Sequence, residues 1–524
     1  MPRDETLVDL SNGLPLSSLE EGRPFFGRVE DAPVYVLSRK SSIVAYSAVC
    51  SHLGGPLQDG LVDGPYIRCP WHHACFDLDS GKALAAPAFN ALQRYGVEVR
   101  GGMVKVSKQR QVAKPQHALP SRSASDRGRF VIIGGGAAGF AAAHALRAKD
   151  WRGRILMYSG DGEAPYDRTL LTKDYLDGHF GDDRLEVAKN ALGKLDVDLE
   201  LRVNVEALEP ANNALHLADG RRQIYDKLLL ATGSAPKRLD ISGADGPNVF
   251  VLRTLADCRR ILNAASHARR AVIVGGSFIG LEAAASLTSR GISVAVVVPQ
   301  FHPMEKLLGR ALSDLITQTL SAKGVEFHFG RKPARIDGNL VMLDNGDSLE
   351  ADFTLVGIGV TPNIELARSA GIAVDEGVVV DKYLHTSDQN IYAAGDIASW
   401  PYESDRQRIR TEHWVVAQRQ GQAAAANMLG DERPLRLVPF FWSKFFDLSF
   451  RYIGHARTWN RVTVEGDLRR RDAVLRYSMD GREAAVATIG RDLDCLRLER
   501  EFYARLGEDG GERIRRPNGR RIAS

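Results

Sequence analysis

A glycine-rich turn between a strand and a helix occurs twice in this sequence, and it constrains the fold more than any other feature. Each copy contains an apolar strand, a turn of small residues, an alanine-containing helix and a second apolar strand. Two copies that begin 141 residues apart predict two α/β nucleotide-binding units. This separation excludes a short-period solenoid. The first copy comprises residues 130–133, Gly134-x-Gly136-x-x-Gly139, 137–148 and 154–158; the second begins 141 residues later and comprises 271–274, Gly275-x-Ser277-x-x-Gly280, 279–289 and 293–298.

The spacing of small residues in these turns suits a dinucleotide. Gly134 permits the tight turn, Gly136 lets backbone N–H groups approach a pyrophosphate, and Gly139 lets the helix pack closely on the strand. The N-terminus of the helix then faces the phosphates. In the second turn Ser277 replaces the middle glycine, and a serine is small enough to preserve the same approach.

Two pairs of cysteine and histidine indicate a metal centre within the first hundred residues. Cys50 and His52 form one pair, and Cys69 and His72 form the other. A Rieske [2Fe–2S] cluster is held in this way, with two thiolates on one iron and two imidazoles on the other. Zinc also binds two cysteines and two histidines, but usually with CxxC and HxxxH spacing. The spacing therefore favours the iron–sulfur cluster over zinc.

Charge and cysteine content limit the partners and the compartment. The 524 residues carry a formal net charge of +4, which is too small to indicate nucleic acid or a membrane surface as a partner. We find no run of about 18 apolar residues and no apolar leader within residues 1–10, so we expect neither a membrane span nor a signal peptide. Five cysteines in a chain of this length favour a reducing, cytoplasmic location.

Residues 4–107 resemble the ferredoxin-type branch of the Rieske proteins throughout. Residues 54–57, Gly-Gly-Pro-Leu, follow the first ligand pair as they do in that family. The disulfide of the respiratory Rieske subunits would need a cysteine where Gly55 stands. The resemblance therefore implies that Cys75 is a buried small hydrophobic residue and not a ligand.

From residue 129 the sequence resembles the FAD-dependent pyridine-nucleotide oxidoreductases, especially the ferredoxin-reductase and apoptosis-inducing-factor-like group. The motifs that carry the resemblance are residues 164–168, Ala-Pro-Tyr-Asp-Arg, and 171–173, Leu-Thr-Lys. It implies that Arg168 and Lys173 contact FAD, with Lys173 near the reactive edge of the flavin. Asp161 is expected to bind the adenosine ribose, where the family usually has a glutamate.

The second nucleotide site is expected to bind NAD or NADP. The resemblance places a nicotinamide-side contact at Glu282, so Lys173 and Glu282 are the predicted catalytic pair. The strand that ends at Val298 lacks the acid that binds a ribose 2′-OH in NADH-preferring proteins. Lys306 and Arg310 keep NADP open, and the nucleotide preference is not decided.

Further motifs of the same group occur in the expected order. Residues 230–233 and 356–359 correspond to the turns that flank the nucleotide domains, and residues 394–396 to the second FAD motif, whose aspartate binds the ribityl chain. Residues 412–414 and 439–443 match segments that line the isoalloxazine. The cofactor-binding residues expected from these segments are Thr232, Gly233, Gly359, Gly395, Asp396, Trp414 and Trp442.

These features predict a multidomain chain: a β-rich Rieske domain, two Rossmann-like α/β nucleotide-binding domains in a glutathione-reductase-like fold, and an α+β C-terminal domain. The expected bounds are 4–107 for the Rieske domain, 108–128 for a linker, 129–250 and 380–430 for the FAD-binding domain, 251–379 for the NAD(P)-binding domain, 431–510 for the C-terminal domain and 511–524 for a basic tail.

The predicted function is that of an NAD(P)H-dependent flavoprotein reductase. Electrons would pass from NAD(P)H through FAD to the Rieske cluster and then to a one-electron acceptor, such as a ferredoxin or an oxygenase component, because a flavin converts between two-electron and one-electron transfer. No CxxxxC motif accompanies the first nucleotide helix, which argues against a dithiol reductase. The alternative is an apoptosis-inducing-factor-like redox sensor whose bound nucleotide controls oligomerisation or partner binding. The sequence is compatible with a homodimer.

Overall fold

The computed structural model describes residues 7–111, 128–185, 192, 195–402 and 407–506. The chain divides into two units, and each is described by itself. The first unit consists of Met1–Pro120, Arg436–Val438 and Asp492–Ser524, and the second of Ser121–Leu435 and Pro439–Arg491. Most of the predicted linker 108–128 and all of the predicted tail 511–524 lie outside the described residues.

Two antiparallel sheets form most of the first unit. Short apolar runs such as Val-Tyr-Val-Leu at residues 34–37 alternate with polar turns, which is the pattern of antiparallel strands. Residues 34–37 and 43–46 lie inside strands of the larger sheet, in agreement with the predicted β-rich domain. In spatial order the six-stranded sheet contains Leu14–Pro15, Met103–Gln111, Arg94–Arg100, Ser42–Ser47, Ala32–Arg39 and Pro24–Val29, and the four-stranded sheet contains Leu61–Asp63, Tyr66–Arg68, Cys75–Asp77 and Ala83–Ala85.

The helix Asp492–Arg505 also belongs to the first unit, although it follows the last strand of the second unit in the chain. The sequence analysis includes these residues in the predicted C-terminal domain, 431–510. Its buried residues recur every three or four positions, so one face of the helix is covered by the rest of the unit. Those buried residues are Cys495, Leu496, Leu498, Glu499 and Phe502.

Two five-stranded parallel sheets form the centre of the second unit. Their strands are nearly continuous runs of Val, Ile, Leu and Ala, as expected for strands buried on both faces. The sequence analysis predicted their first strands and helices to within one or two residues. In spatial order one sheet contains Asp198–Leu201, Arg154–Ser159, Arg129–Ile133, Lys227–Leu230 and Ile391–Ala393, and the other Val249–Val251, Phe353–Val356, Arg270–Val274, Ser293–Val298 and Glu326–Phe329.

A five-stranded antiparallel sheet and several smaller sheets complete the second unit. The large sheet lies within the residues predicted as the C-terminal domain, 431–510. Its strands are Phe440–Phe445, Leu448–Gly454, Arg482–Ile489, Asp472–Met479 and Arg461–Asp467; the smaller sheets pair Val205–Glu209, Ala214–Leu217 and Arg222–Ile224, then Pro333–Asp337, Leu340–Leu343 and Ser348–Glu350, then Val378–Val379, Ala398–Tyr402 and Gln407–Ile409, and finally Ser234–Pro236 with Val360–Pro362.

The helices of the second unit cover the parallel sheets. Capping fixes where several of them begin: Thr254 and Asp257 form a capping box, and the Ser277 hydroxyl caps the helix that follows it. Among the described residues, none of the helices has the length and apolar content needed to cross a bilayer. The α-helices are Ala137–Ala148, Asp182–Leu185, Leu255–Ala265, Phe278–Ser289, Glu305–Ser321, Glu365–Ser369 and Trp414–Met428.

The helices Ala137–Ala148 and Trp414–Met428 pack at unusually close range. A Cβ atom added to Gly421 would lie 2.1 Å from the carbonyl oxygen of Ala138. Gly395, at the end of the strand Ile391–Ala393, also approaches this pair, since its Cβ would meet that of Ala138 at 3.2 Å. The contact between the two helices therefore depends on the missing side chain of Gly421.

We predict that Gly421→Ala destabilises the second unit. The added methyl group must push the two helices apart, at a cost of about 1–3 kcal/mol. The measurement is the urea midpoint of the second unit, followed by the fluorescence of its tryptophans. Gln422→Ala is the control, because it removes side-chain atoms from the same helix and adds none at the contact. Equal urea midpoints for the two variants would show that the close approach of the two helices does not limit the stability of the second unit.

Candidate functional site

A cavity of about 780 Å³ lies in the second unit. It opens at the carboxyl ends of four strands of the first parallel sheet, where ligands of α/β proteins commonly bind. Twelve of the seventeen residues predicted to bind FAD or NAD(P) line it, which brings together segments that are far apart in the chain. These twelve are Gly134, Gly136, Asp161, Arg168, Lys173, Thr232, Gly233, Glu282, Gly395, Asp396, Trp414 and Trp442.

The first glycine turn has the geometry that its sequence requires. Gly134 has a φ of +114°, and a Cβ on it would lie 2.1 Å from the carbonyl oxygen of Ala231. Gly139 does not line the cavity; its Cβ would lie 2.0 Å from the Gly134 carbonyl oxygen, so its role is close packing of helix on strand. A Cβ on Gly136 would meet nothing within 4 Å, which leaves the backbone there open to a ligand.

Asp161 lies at the end of the strand Arg154–Ser159 and connects two of the predicted site residues. Its Oδ2 accepts hydrogen bonds from the Tyr166 hydroxyl at 2.9 Å and from Arg168 Nη2 at 3.2 Å. The Tyr166 hydroxyl in turn accepts from the backbone N–H of Leu255. Burial is the main cause that raises the pKa of Tyr166, so its hydroxyl remains a proton donor to Asp161. The carboxylate is thereby fixed in the cavity wall.

Asp396 is held by two residues that the sequence analysis did not single out. Its Oδ2 accepts hydrogen bonds from Arg253 Nη2 at 2.7 Å and from the Ser234 hydroxyl at 3.0 Å. Thr232, two residues before Ser234, pairs with Asn363: its hydroxyl donates to the Asn363 carbonyl at 2.8 Å. Arg253 and Ser234 belong to no motif, although Ser234 directly follows the predicted Thr-Gly turn.

The predicted catalytic pair forms a buried ion pair. Lys173 Nζ lies 2.7 Å from Glu282 Oε2, and Glu282 is only 5 % exposed. The same oxygen accepts a hydrogen bond from the Thr172 hydroxyl at 2.5 Å, and Glu282 Oε1 accepts one from the Ser443 hydroxyl at 2.6 Å. Three side chains from two separate segments thus satisfy one carboxylate, as a buried charge requires. Thr172 and Ser443 stand in motifs quoted above, but neither received a role there.

Aromatic and polar side chains from the end of the unit complete the cavity. The ring of His413 packs against Phe441, with centroids 4.7 Å apart. Burial, with a contribution from His455, lowers the pKa of His413 to about 3, so its ring is neutral near pH 7. Buried polar atoms here have no hydrogen-bond partner within the protein, namely His413 Nδ1, Trp414 Nε1 and Thr411 Oγ1.

The second glycine turn lies outside the lining of this cavity. Gly275 has a φ of +111°, and the Cβ of Gly280 would lie 2.5 Å from the Gly275 carbonyl oxygen, as in the first turn. The Ser277 hydroxyl donates to the Gly357 carbonyl at 2.7 Å and accepts from the Gly280 N–H at 3.3 Å. Gly359 has a φ of +101°, with open space around it. Ser277 therefore acts as a helix cap in addition to being small.

The cysteine and histidine pairs lie on two facing loops of the first unit. Cys50 and Cys69 are 3 % and 1 % exposed, and a hydrogen bond to Cys69, together with burial, raises the pKa of the Cys50 thiol. The rings of His52 and His72 lie with centroids 5.1 Å apart. A Cβ on Gly55 would meet Cys69 Sγ at 2.6 Å, so this glycine leaves the sulfur its space.

This arrangement fits a [2Fe–2S] cluster. The two thiols are adjacent, and the two imidazoles are adjacent, which is the ligand pairing of a Rieske centre. Cys75 follows His72 by three residues, is 5 % exposed and lies in the strand Cys75–Asp77, which leaves the ligand loop.

Comparisons with known proteins agree with both sites. Residues 128–421 match the model of the pyridine nucleotide-disulphide oxidoreductases, which is more than half of the chain. The chain belongs to this family. Residues 14–96 match the Rieske [2Fe–2S] domain. The oxidoreductase thus carries an iron–sulfur domain before its nucleotide-binding part, and its cofactors are FAD, NAD(P)H and a [2Fe–2S] cluster.

The relatives of this oxidoreductase include a protein that aligns with 84% of the chain and a ferredoxin reductase component that aligns with 70% of it. It is 32% identical to apoptosis-inducing factor 3 of Mus musculus, over 84% of this chain and 75% of that protein. It is 35% identical to the ferredoxin–NAD(+) reductase component of the anthranilate 1,2-dioxygenase system of Burkholderia cepacia, over 70% of this chain and 93% of that protein. Putidaredoxin reductase, solved in covalent complex with putidaredoxin, superposes with a TM-score of 0.70 at 29% identity and covers 72% of this chain and 94% of that one.

The described residues that line the cavity fit FAD, and none of them could form a redox-active disulfide. The volume lies within the range of about 300–1,000 Å³ that is usual for ligand pockets, and its unpaired polar atoms need a partner. No cysteine is among the described residues that line it. Cys258 lies buried nearby in the fold, where burial raises the pKa of its thiol to about 12, so it is not a reactive thiolate.

We predict that His413 makes the stability of the second unit depend on pH. An unfolded histidine has a pKa of about 6.5, so as pH falls below that value the unfolded chain binds a proton that the folded ring does not bind. Stability should therefore fall between pH 6.5 and 3, by at most about 1.4 kcal/mol per pH unit, because solvent in the cavity screens part of the effect.

The measurement compares the unfolding free energy of wild type and His413→Asn at several pH values between about 6.5 and 4. The wild type should lose stability relative to the variant as the pH falls. The exposed His267 supplies the control variant His267→Asn, which should follow the wild type. Parallel curves for all three proteins would contradict the assignment of a neutral buried ring.

Proposed function

We propose that this oxidoreductase takes electrons from NAD(P)H in the second unit and delivers them one at a time, through a [2Fe–2S] cluster in the first unit, to a ferredoxin or an oxygenase component. The observation that carries the proposal is the presence, in one chain, of the cavity with its Lys173–Glu282 pair and of the paired Cys-His loops. Bound FAD supplies the conversion between two-electron and one-electron transfer.

The proposed FAD site extends along the whole cavity. The backbone at Gly136 and the helix N-terminus behind it suit the pyrophosphate. Asp161, fixed by Tyr166 and Arg168, is placed to accept from a ribose hydroxyl at the end of its strand. We assign the ribityl chain to Asp396, and the ring system to the part of the cavity lined by Lys173, Trp414 and Trp442.

The proposed NAD(P) site combines the second glycine turn with Glu282. The turn at Gly275 repeats the geometry of the first, and Ser277 and Gly280 form the N-terminus of the next helix. Glu282 lies one helical turn further along and lines the cavity. A nicotinamide that reaches from this turn into the cavity would meet the Lys173–Glu282 pair, which we propose positions it for transfer.

We also propose the domain organisation that the sequence predicts. The two parallel sheets would be the cores of an FAD-binding domain (129–250 and 380–430) and an NAD(P)-binding domain (251–379) of the glutathione-reductase type, and the antiparallel sheet that of the C-terminal domain. None of the five cysteines forms a disulfide in the described residues, which supports the proposed cytoplasmic, reducing location.

An anaerobic titration tests the proposal directly. Purified protein would be titrated with NADH and, separately, with NADPH, and followed by visible absorption and low-temperature EPR. We expect bleaching of the flavin and a Rieske-type EPR signal with at least one of the two nucleotides, and the better donor answers the open question of NAD or NADP. A protein that reduces its flavin but never its cluster would contradict the proposed route.

We predict that Cys50→Ser removes the cluster and with it the transfer to a ferredoxin-type acceptor. Serine is a harder and less acidic ligand than a thiolate, so the cluster should be lost and reduction of the acceptor should fall by about 10²-fold or more. The measurements are iron per chain and the rate of acceptor reduction, with ferricyanide reduction reporting the flavin site. Cys75→Ser is the matched control and should keep its iron. Loss of iron in the control instead would contradict the ligand assignment.

We predict that Glu282→Gln slows the reductive half-reaction and leaves FAD bound. The amide removes the negative charge that positions Lys173, so the ammonium group of Lys173 should be misplaced. Misplacement of a group at a reacting site typically lowers the rate by about 10²-fold. Stopped-flow reduction of the flavin by NAD(P)H measures the rate, and the flavin content of the purified variant measures occupancy. Glu305→Gln, on the next helix, is the control. An unchanged rate would exclude a role for Glu282.

A second candidate function is favoured by the likeness to apoptosis-inducing factor 3 over 84% of the chain. In that case the oxidoreductase would act as a redox sensor whose bound nucleotide changes its assembly. Steady-state consumption of NAD(P)H with one-electron acceptors separates the two functions. Slow turnover, together with a nucleotide-dependent change in oligomer size by light scattering, would favour the sensor over the reductase.

A further inference from the structure

A buried charge cluster lies in the first unit, beside the second ligand loop. Glu499, on the helix Asp492–Arg505, is fully buried. Its Oε2 lies 2.5 Å from His73 Nδ1 and 2.5 Å from Arg68 Nη2. His73 is also fully buried, and the Arg68 side chain is 13 % exposed. A buried carboxylate needs such partners, so the three side chains hold one another in place.

The two partners of Glu499 lie at the two ends of the ligand loop. Arg68 immediately precedes Cys69, and His73 immediately follows His72. Between them the loop closes on itself, because the His73 N–H donates to the Cys69 carbonyl and the Cys69 N–H donates to the Ala74 carbonyl. One carboxylate oxygen therefore contacts the residue before the first ligand of this loop and the residue after the second.

His73 adopts a backbone conformation that is uncommon for a residue with a side chain. Its φ is +59°, in the left-handed region that favours glycine and that costs energy for other residues. His72 is half-buried, with its ring beside His52, whereas the ring of the adjacent His73 is buried against Glu499. A glycine would adopt this backbone without strain, whereas the imidazole at position 73 adds the contact with Glu499.

The helix carries Glu499 on its buried face. The neighbours of Glu499 on that face are Cys495, Leu498 and Phe502, at the spacing of one helical stripe. The helix contacts the strand Leu61–Asp63, and Arg500 pairs with Asp63 at 3.5 Å. The apolar side chains that precede and follow Glu499 on this face pack into the unit, and their packing keeps the charged side chain buried.

We propose that Glu499 is a positioning residue for the iron–sulfur cluster: through Arg68 and His73 it fixes the loop that presents Cys69 and His72. The proposal rests on the cluster assigned under the proposed function. A partner outside the ligand sphere that orients the ligands typically changes metal affinity by 10- to 100-fold. The C-terminal helix would thus be part of the cluster site, although its sequence lies more than 400 residues from the ligands.

The test uses the full-length chain and the variants Glu499→Gln, Glu499→Ala and His73→Gly. Glu499→Gln keeps the shape and removes the charge, which covers the case in which alanine prevents folding. The control is Glu501→Gln, because Glu501 is exposed on the same helix. The readouts are iron per chain, the rate of cluster loss to a chelator, the EPR g-values and the reduction potential, with FAD content as the measure of an intact second unit.

We expect both Glu499 variants and His73→Gly to lose the cluster about tenfold faster than wild type, with shifted g-values and unchanged FAD content, while Glu501→Gln matches wild type. The double variant Glu499→Ala/His73→Gly should lose it no faster than the worse single variant, because the two residues act as one unit. Wild-type loss rates, g-values and potential in the Glu499 variants would overturn this proposal alone. A wild-type protein with no Rieske signal would instead overturn the proposed function.

Discussion

The carboxylate of Glu282 is the constraint on which the cavity of the second unit depends. It is buried, and it accepts hydrogen bonds from the adjacent residues Thr172 and Lys173 and from Ser443, each more than 100 residues from Glu282 in the chain. A buried charge with fewer partners would be unstable, so these segments must meet for the second unit to be stable. The same set of bonds places an ammonium group and a carboxylate at the wall of the nucleotide cavity. One carboxylate therefore joins distant segments of the second unit at the wall of the cavity.

The sequence predicted those parts of the molecule that depend on local pattern. The helix Ala137–Ala148 and the strand Ser293–Val298 were predicted with the bounds that the structure has, because glycine turns and β-branched runs determine them locally. Lys173 and Glu282 were predicted as a functional pair only because known proteins have them. Family membership and the Rieske domain were predicted and are confirmed by the comparisons.

Contacts between distant segments could not be predicted. Arg253 and Ser234 support Asp396 from positions that carry no motif, and a serine or an arginine alone indicates nothing about its partner. The helix Asp492–Arg505 was predicted, but its grouping with the first unit was not, since amphipathicity shows that a face is buried and not what covers it. The partner of His73 is Glu499, 426 residues later in the chain, and nothing in the local sequence indicates that contact.

The discontinuity of the first unit has a consequence for how the protein is made. Glu499 is synthesised 426 residues after His73, so the ribosome has produced the whole nucleotide-binding part before the first unit can close. The ligand loop thus leaves the ribosome without its partner helix. A chain that terminated before this helix would contain every cysteine and histidine of the metal centre yet lack the segment that completes the unit around them.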